Sequence, residues 1–250
     1  MREKQAQTQG QRFSTAQQRA ESIAGKAAFL GQSPLFGSLE AAEIGELDRV
    51  TSVLTCEQGR ILYRPGERST QFFLLKSGRV QLYHLSTDGR KLIMATIEPG
   101  SCFGELPLTG SELYQSFAEA IEDALVYVMN RGDVEHLLAQ KPAALLTLLQ
   151  MAGQRSTQLE LQLVDTTFKS TNARLATLLL QLARSEQASG DAELVVSGFS
   201  QGELADRLGV YRETVALALR ELKECGAIEL GRKHITLCRP ELLQEQAAGQ

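Results

Sequence analysis

The stretch SQGELADRLGVYRETVALALRELKECGAIEL, residues 200–230, predicts two short helices separated by a tight turn. Ser200 and Glu203 form the S-x-x-E capping box that starts a helix. Gly209 tolerates the positive φ that a turn between two helices requires. The second helix is predicted to begin near Arg212. The predicted buried side chains are Leu204, Ala205 and Leu208 in the first helix and Val215, Ala218, Leu219 and Leu222 in the second. This pattern is typical of a helix-turn-helix, with a plain helical hairpin as the alternative.

Charged side chains fall where such a motif presents them to DNA. Arg212 and Glu213 begin the second helix, where Arg offers a donor fork to guanine and Glu accepts from the cytosine amino group. Ala216 and Leu217 follow one turn later and are also predicted to face the bases. The residues predicted to contact the DNA backbone are Ser200, Gln201, Tyr211, Thr214, Arg220, Lys223, Arg232 and Lys233. The last two would form the tip of a β-wing suited to phosphates, or else a solvated charge cluster.

The composition of the chain indicates an ordinary globular protein of two domains. It has 250 residues, of which 43% are hydrophobic and 22% charged. No apolar run is long enough to cross a bilayer, and the N-terminus lacks a signal peptide, so we expect a cytoplasmic protein with no membrane partner. The formal charge of −4 means that DNA binding must depend on a local basic patch.

Cysteine and histidine residues are scattered and predict no metal site. The chain has four cysteines (Cys56, Cys102, Cys225 and Cys238) and three histidines (His84, His136 and His234), without a CxxC pair. We expect four ordinary thiols that are buried or half-buried, with a redox role or a Cys225–Cys238 pair as the open alternative. The sequence shows no nucleophile–base pair and no phosphate loop, so we expect that the protein is not an enzyme.

The N-terminal half predicts mainly β structure. SPLFGSLEAAEIGELDRV, residues 33–50, predicts a helix with Ser38 as N-cap. From residue 51 to residue 129, short apolar runs alternate with glycines, which indicates an antiparallel sandwich or barrel. Within it, residues 71–85 are predicted to form one strand that turns at Asp88 and Gly89 into a second strand at residues 91–97.

A long helix is predicted after this β region. RGDVEHLLAQKP predicts a short helix closed by Pro142, and residues 143–169 then continue without a strong breaker. A heptad stripe runs along them at Leu145, Leu149, Ala152, Ser156, Leu159, Leu163 and Thr166. The length of the stripe favours a two-helix seam between two copies of the chain, with packing on the chain's own core as the alternative.

With FGEL at residues 103–106, LGVYRETVALALRELKECGAI at residues 208–228 and the long helix, residues 30–240 of the chain resemble the Crp/Fnr family of bacterial transcription regulators. The resemblance implies an α+β fold: an arm at 1–25, a cyclic nucleotide-binding-type β-roll (jelly roll) at 26–130, a short helix and dimerisation helix at 131–169, a winged helix-turn-helix at 170–240 and a tail at 241–250, which we expect to be frayed. It also implies a homodimer on palindromic double-stranded DNA. RNA polymerase is the further partner, reached through the loop at 189–193.

The same resemblance implies which bases are read. Arg212 and Glu213 match the family's readers of a G·C pair in a TGTGA-like half-site. The family's cyclic-AMP receptors carry an Arg where this chain has Leu217, so the half-site is expected to differ beside that pair. Tyr211 replaces a small hydroxyl residue and is predicted to touch a phosphate through its hydroxyl.

The effector site departs from the family pattern. The candidate effector pocket comprises Gly104, Glu105, Leu106, Gln115 and Ser116. Gln115 stands where the cyclic-AMP-binding members have an Arg for the phosphate, and Leu159 and Glu160 stand where they have a Thr-Ser pair for the adenine. A buried phosphate without a cation is costly, so we expect neither cyclic AMP nor another cofactor.

Several alternatives for the effector and the function remain open. The effector would be an unidentified neutral or apolar ligand, a thiol sensor, or absent; Glu105 would then hold a ligand or bond the backbone around Pro107 and Leu108. We expect a homodimeric, sequence-specific DNA-binding regulator, an activator acting without cyclic AMP. The alternatives are a ligand- or redox-gated regulator and a module whose C-terminal domain binds protein.

Overall fold

The computed structural model describes residues 25–105, 110–187, 194–232 and 234–248. The predictions for the N-terminal arm before residue 25, for Leu106, Pro107 and Leu108, for the loop at 189–193 and for Lys233 lie outside these ranges. The chain divides into two compact units, residues 1–82 with 96–153 and residues 83–95 with 154–250.

From residue 25 onward, two helices precede the β structure of the first unit: α1 (Lys26–Gln32) and α2 (Ala41–Val50). The predicted N-cap at Ser38 is wrong, because α2 is capped at Glu40. The backbone N–H of Glu40 donates to the carboxylate of Glu43 at 2.9 Å. Glu43, three residues after the N-cap, therefore helps to set where α2 begins.

In the described part of this region, eight strands form two four-stranded sheets. They are β1 (Ser52–Cys56), β2 (Ile61–Tyr63), β3 (Gln71–Ser77), β4 (Val80–Leu85), β5 (Lys91–Ile97), β6 (Cys102–Phe103), β7 (Phe117–Ala120) and β8 (Ala124–Asn130). One sheet has the order β1-β8-β3-β6 and the other β2-β7-β4-β5. The pairings of β1 with β8, β8 with β3, β3 with β6 and β2 with β7 are antiparallel. The predicted roll is therefore confirmed.

The single strand predicted over residues 71–85 is wrong, because Gly78 divides it into β3 and β4, which lie in different sheets. Gly78 has a φ of 80°, and a Cβ there would lie 2.4 Å from the carbonyl oxygen of Asp123. The close approach of a distant backbone segment thus requires glycine at this break. The predicted turn between β4 and β5 is confirmed, with Gly89 at a φ of 83°.

Helix α3 (Arg131–Ala139) and helix α4 (Pro142–Phe168) follow the roll. Pro142 begins α4 and does not close α3, which corrects its predicted role; proline suits the first helical position because its missing N–H would be unpaired there anyway. The core of the first unit joins α1, α2, α3 and the start of α4 to β3 and β8. Its largest fully buried side chains include Leu30, Phe36, Phe72, Tyr127 and Leu138.

The second unit carries the C-terminal elements. They are α5 (Thr171–Gln187), β9 (Val195–Ser197), α6 (Gln201–Leu208), α7 (Arg212–Glu224), β10 (Ile228–Leu230), β11 (His234–Leu237) and α8 (Pro240–Ala247). The three strands form an antiparallel sheet in the order β10-β11-β9. The expected frayed tail is wrong for the residues described, because α8 places Leu243, with no exposed surface, in the core of this unit.

Candidate DNA-binding surface and effector pocket

The helix-turn-helix of α6 and α7 is built as its sequence predicts. The backbone N–H of Glu203 donates to the Ser200 hydroxyl at 3.2 Å, and the backbone N–H of Ser200 donates to the Glu203 carboxylate at 2.7 Å. Gly209 ends α6 in the left-handed region at a φ of 65°. All seven side chains predicted to be buried are buried: Leu204, Ala205, Leu208, Val215, Ala218, Leu219 and Leu222. This core fixes which face of α7 remains outside.

The side chains predicted to read bases lie at the start of α7 and one turn beyond it. Arg212 and Glu213 are exposed in the first turn. Ala216 is half-buried, whereas Leu217 is 54% exposed. Arg212, Glu213 and Leu217 therefore belong to the outer surface of a helix whose opposite face is buried.

The residues predicted to contact the DNA backbone have different surroundings. Arg220, Lys223 and Arg232 are exposed, and Thr214 and Gln201 are half-buried. The Ser200 hydroxyl already accepts the capping hydrogen bond of α6 and is engaged in holding that helix. Among these residues, the exposed cations are the ones best placed for phosphates.

The predicted β-wing is confirmed as strands β10 and β11, which pair in antiparallel fashion. The backbone N–H of Gly231 donates to the carbonyl oxygen of His234 at 2.9 Å and closes the turn between the strands. Arg232 is exposed in that turn. The geometry is that of a basic side chain held at the tip of a hairpin.

Tyr211, the N-cap of α7, has a partner that the sequence did not reveal. Its hydroxyl donates to the carboxylate of Asp88 at 2.7 Å, and the Arg90 guanidinium lies 5.0 Å from the centre of its ring. Hydrogen bonds from Ser86 and then Tyr211 hold the pKa of Asp88 well below its usual value. The same hydrogen bond raises the pKa of Tyr211, because only the neutral phenol can donate it and a phenolate beside this carboxylate would also be repelled. The hydroxyl predicted to reach a phosphate is thus bonded to a carboxylate of the same chain.

The candidate effector pocket is partly assembled by hydrogen bonds within the chain. The Glu105 carboxylate accepts from the backbone N–H of Gln115 at 2.9 Å. The Gln115 side-chain amide donates to the carbonyl oxygen of Leu113 at 3.1 Å. Ser116 is 8% exposed, and Gly104 is buried with a φ of 106°. Glu105 therefore has a structural partner from the backbone, ten residues along the chain.

A separate cavity of about 830 Å³ was not foreseen from the sequence. Its described lining comprises Arg68, Ser69, Thr70, Gly110, Ser111, Glu112, Asn130, Arg131, Gly132 and Glu135. The Arg131 guanidinium links two segments of this lining: it donates to the Glu135 carboxylate at 2.8 Å and to the carbonyl oxygen of Ser111. Three separate segments of the chain meet here, so no single motif could have announced the site.

The heptad stripe of α4 is largely exposed. Leu149 and Leu163 are 67% and 68% exposed, and Leu145 and Leu159 are less so, while Ala152 is half-buried. Ser156 and Thr166 are also exposed. The buried side chains of α4 are Ala144 and Leu148, near its start. The stripe is therefore not covered by the part of the chain that the structure describes.

The four cysteines are free, but the prediction that all of them are at least half-buried is wrong for two. Burial raises the pKa of Cys102 to about 12 and also raises the pKa of the buried Cys56. Cys225 and Cys238 are exposed. Because the thiolate is the reactive form, Cys56 and Cys102 are poorly suited to a thiol sensor.

In residues 25–105, 110–187, 194–232 and 234–248, no helix combines the length and apolar character needed to cross a membrane. Within the same ranges, no group of three or more His, Cys, Asp or Glu side chains is placed to hold a metal ion.

Comparison with known proteins agrees with this architecture. Residues 53–141 match the cyclic nucleotide-binding domain, and residues 173–246 match the Crp-like helix-turn-helix domain. The chain is 27% identical to the CRP-like cAMP-activated global transcriptional regulator of Mycobacterium tuberculosis over 87% of its own length and 98% of that protein. It is 29% identical to the cyclic AMP receptor protein of Thermus thermophilus, with the same coverages of 87% and 98%.

A solved structure shows the same fold. The structure of FixK2 from Bradyrhizobium japonicum superposes with a TM-score of 0.65 at 26% identity, covering 79% of this chain and 97% of that one. A β-roll of the cyclic nucleotide-binding type, a long helix and a winged helix-turn-helix with exposed Arg212 and Glu213 thus occur in one chain. From this combination and these similarities, we conclude that the chain belongs to the Crp/Fnr family of DNA-binding transcriptional regulators.

Proposed function

We propose that this protein is a homodimeric transcription activator that binds a palindromic, TGTGA-like DNA site without cyclic AMP. The observation that carries the proposal is the exposure of Arg212 and Glu213 in the first turn of α7, whose opposite face is locked in a core. A rigid helix that presents a guanine donor and a cytosine acceptor side by side is suited to one G·C pair.

The DNA site follows from this pair of readers and from symmetry. Two copies of the chain related by a two-fold axis would place two α7 helices in successive major grooves, so the operator would be a palindrome. Arg220, Lys223 and Arg232 are exposed cations near the same motif and are proposed to neutralise phosphates.

The apolar stripe of α4 supports the homodimer. Leu149 and Leu163 are each about two-thirds exposed and lie two heptads apart on one helical face. An identical stripe on a second chain would bury both, because a two-fold interface uses the same patch twice. Full burial of an exposed leucine side chain is worth about 1.5–3 kcal/mol, and burial of the exposed two-thirds of each leucine would contribute a part of that to association.

The proposed independence from cyclic AMP rests on the effector pocket. The Mycobacterium relative is named as cAMP-activated. In this chain Gln115 is neutral and its side-chain amide is bonded to Leu113, while Glu105 is bonded to the backbone of Gln115. Leu159 has no group that could hydrogen-bond an adenine. A buried phosphate would lack a cation from Gly104, Glu105, Gln115 or Ser116, and such burial is costly.

The remaining parts of the proposal come from the family. We place the protein in the cytoplasm, acting on transcription through contact with RNA polymerase, and assign it no enzymatic activity. The family is one of transcriptional regulators. Transcription from a promoter that carries the site, measured with and without the protein, distinguishes activation from repression. We expect the transcript level to rise with the protein.

The test is a titration of the purified, ligand-free protein onto a duplex with a TGTGA-type palindrome and onto a scrambled duplex, at one salt concentration, with and without cyclic AMP. Selective binding that is unchanged by cyclic AMP is the expected result. Arg212→Ala should remove the selectivity, at a cost of about 1–3 kcal/mol for the lost base contact. Arg49→Ala, which removes the same charge at an exposed position of α2, is the matched control and should bind normally.

Other results would overturn specific parts of the proposal. Binding that requires cyclic AMP would contradict the interpretation of Gln115 and Leu159. Binding of both duplexes alike, unaffected by Arg212→Ala, would leave DNA reading by α7 unsupported and favour a C-terminal domain that binds protein.

A further inference from the structure

Leu217 is an exposed apolar side chain on a surface that is otherwise polar. Within residues 194–232 and 234–248, the large apolar side chains that are exposed are Tyr211 and Leu217, at 52% and 54%. Both belong to α7 or its N-cap. The core of this unit does not need Leu217, because Val215, Ala218, Leu219 and Leu222 already fill the inner face of α7.

A single exposed leucine is common on protein surfaces and has no meaning by itself. The position of Leu217 on α7, however, indicates a role in binding DNA. Leu217 follows Glu213 by four residues and precedes Arg220 by three, so the three side chains lie on one face of the helix. The rise between Glu213 and Leu217 is about 6 Å. That distance is close to two base-pair steps of about 3.4 Å.

We propose that Leu217 reads the 5-methyl group of a thymine, within two base pairs of the G·C pair assigned to Arg212 and Glu213. The proposal rests on the proposed function and adds the identity of the neighbouring base. In the major groove, thymine is the base that presents a methyl group, and apolar side chains recognise it by contact. Leu217 has the apolar end, the exposure and the place on the helix that this contact requires.

The same side chain should discriminate against guanine at that step. Guanine turns two acceptors, N7 and O6, into the major groove. A leucine has no donor for them, and its approach would strip water from both acceptors without replacing the hydrogen bonds. Leu217 therefore favours T·A through contact with the methyl group and disfavours G·C through the lost hydration of N7 and O6. Specific interfaces commonly combine such an attraction with a penalty against the competitor.

The experiment begins with repeated selection of binding sites by the full chain from a randomised duplex library, with and without cyclic AMP. The selected half-site is then synthesised with deoxyuridine in place of each thymine in turn, which removes one methyl group and no hydrogen-bonding atom. At one thymine within two pairs of the selected G·C pair, binding should weaken about fourfold, the value of one buried methyl-sized group. Deoxyuridine outside the half-site is the DNA control.

Two variants connect this loss to Leu217. In Leu217→Ala, thymine and deoxyuridine at that position should bind equally. In Leu217→Arg, selection should shift from thymine to guanine, because Arg supplies two donors for N7 and O6. Val50→Ala, which shortens an exposed apolar side chain of α2, should keep the full discrimination.

The outcomes separate this inference from the function on which it rests. A selected palindrome with the G·C pair but no methyl effect, or a methyl effect that survives in Leu217→Ala, overturns the role of Leu217 and leaves the regulator intact. Selection of no sequence under either condition overturns both.

Discussion

Arg174 of α5 donates a hydrogen bond from its guanidinium to the backbone carbonyl oxygen of Leu208, the last residue of α6. A carbonyl at the end of a helix has no partner within that helix. A cation is favoured there by the helix dipole. Half-buried Arg174 therefore braces the turn that aims α7, from a position 34 residues earlier in the chain.

We expect Arg174→Met to destabilise the DNA-binding unit, since it leaves the Leu208 carbonyl unpaired. Hydrogen bonds to charged groups contribute about 1.5–3 kcal/mol, and a loss of about 2 kcal/mol should appear in urea unfolding followed by circular dichroism. Arg184→Met, at an exposed position on the same helix, should change stability by less than about 0.5 kcal/mol. Equal effects of the two substitutions would contradict the bracing role.

Gly209→Ala should also destabilise this unit. Its φ of 65° is unfavourable for other residues, and a Cβ there would meet Leu92 at 3.0 Å. The left-handed conformation alone costs about 1–2 kcal/mol. Gly202→Ala is the matched control in the same helix, where a Cβ would meet the Ser200 hydroxyl at an ordinary 3.7 Å. Urea unfolding should show Gly202→Ala as neutral or stabilising, and a loss as large as that of Gly209→Ala would argue against the turn geometry.

The proposed dimer predicts that a charge on the stripe of α4 will separate the protomers. Leu163→Glu would place two carboxylates opposite each other at the seam, and sedimentation velocity should then show a monomer at micromolar concentration. Leu161→Glu is the control, because Leu161 is 62% exposed on the same helix but lies off the stripe. A dimer that survives Leu163→Glu would place the interface elsewhere.

The bond between Tyr211 and Asp88 predicts a competition with DNA. If the tyrosine hydroxyl binds a phosphate, it must first leave the carboxylate, so Asp88→Ala should tighten DNA binding about three- to tenfold in a titration. Tyr211→Phe should weaken it by a similar factor. Removal of a negative charge could raise affinity by itself, and the double variant tests this. In the Tyr211→Phe background, Asp88→Ala should have no further effect, and an undiminished gain would show general electrostatics instead.

The thiol classes predict a pH-dependent reactivity. The pKa of Cys102 is raised from 9.0 to about 12, so its thiolate is about a thousandfold scarcer at pH 8 than in an ordinary thiol. With a coloured disulfide reagent, two fast thiols should be counted in the native protein and four in denaturant. Cys225→Ser with Cys238→Ser should abolish the fast phase. Fast reaction of Cys102 with the reagent would contradict the conclusion that this thiol is poorly suited to be a sensor.

The raised pKa of Cys102 also predicts how the stability of the protein depends on pH. A folded-state pKa above the unfolded value means that burial of Cys102 favours the thiol form. Its contribution is complete below the unfolded pKa near 9 and is lost as the pH rises from there towards 12. Replacement of Cys102 by Ala should therefore flatten the decline of stability between about pH 9 and pH 11.

The extent to which the sequence predicted this molecule differs between its two halves. In the helix-turn-helix, the two members of the capping box are three residues apart and the apolar residues recur every three or four, so each signal lies within about one helical turn. Those elements and their buried faces were predicted correctly. In the roll, the division at Gly78 depends on Asp123, which lies 45 residues later in the chain. The predicted single strand failed there because nothing near residue 78 records that approach.

The candidate sites show the same limit. The exposure of Arg212, Glu213 and Leu217 follows from helical periodicity alone, which the sequence contains. The partner of the Tyr211 hydroxyl is 123 residues away in the chain. Arg131 bonds to Ser111 and Ser69, which precede it by 20 and 62 residues. Such partners are chosen by the packing of whole elements, which brings together residues that share no local pattern.

By itself, then, the sequence determined the family, the helix-turn-helix with its reading face, the hairpin at Gly89 and the length of α4, because caps, turns and periodicity are encoded over a few residues. Tertiary structure alone decided the break at Gly78, the order of α8 through Leu243 and the bonds of Tyr211, Glu105 and Arg174. Each of these depends on which distant backbone or side chain arrives within hydrogen-bonding or contact distance, and that is settled only when the elements pack against each other.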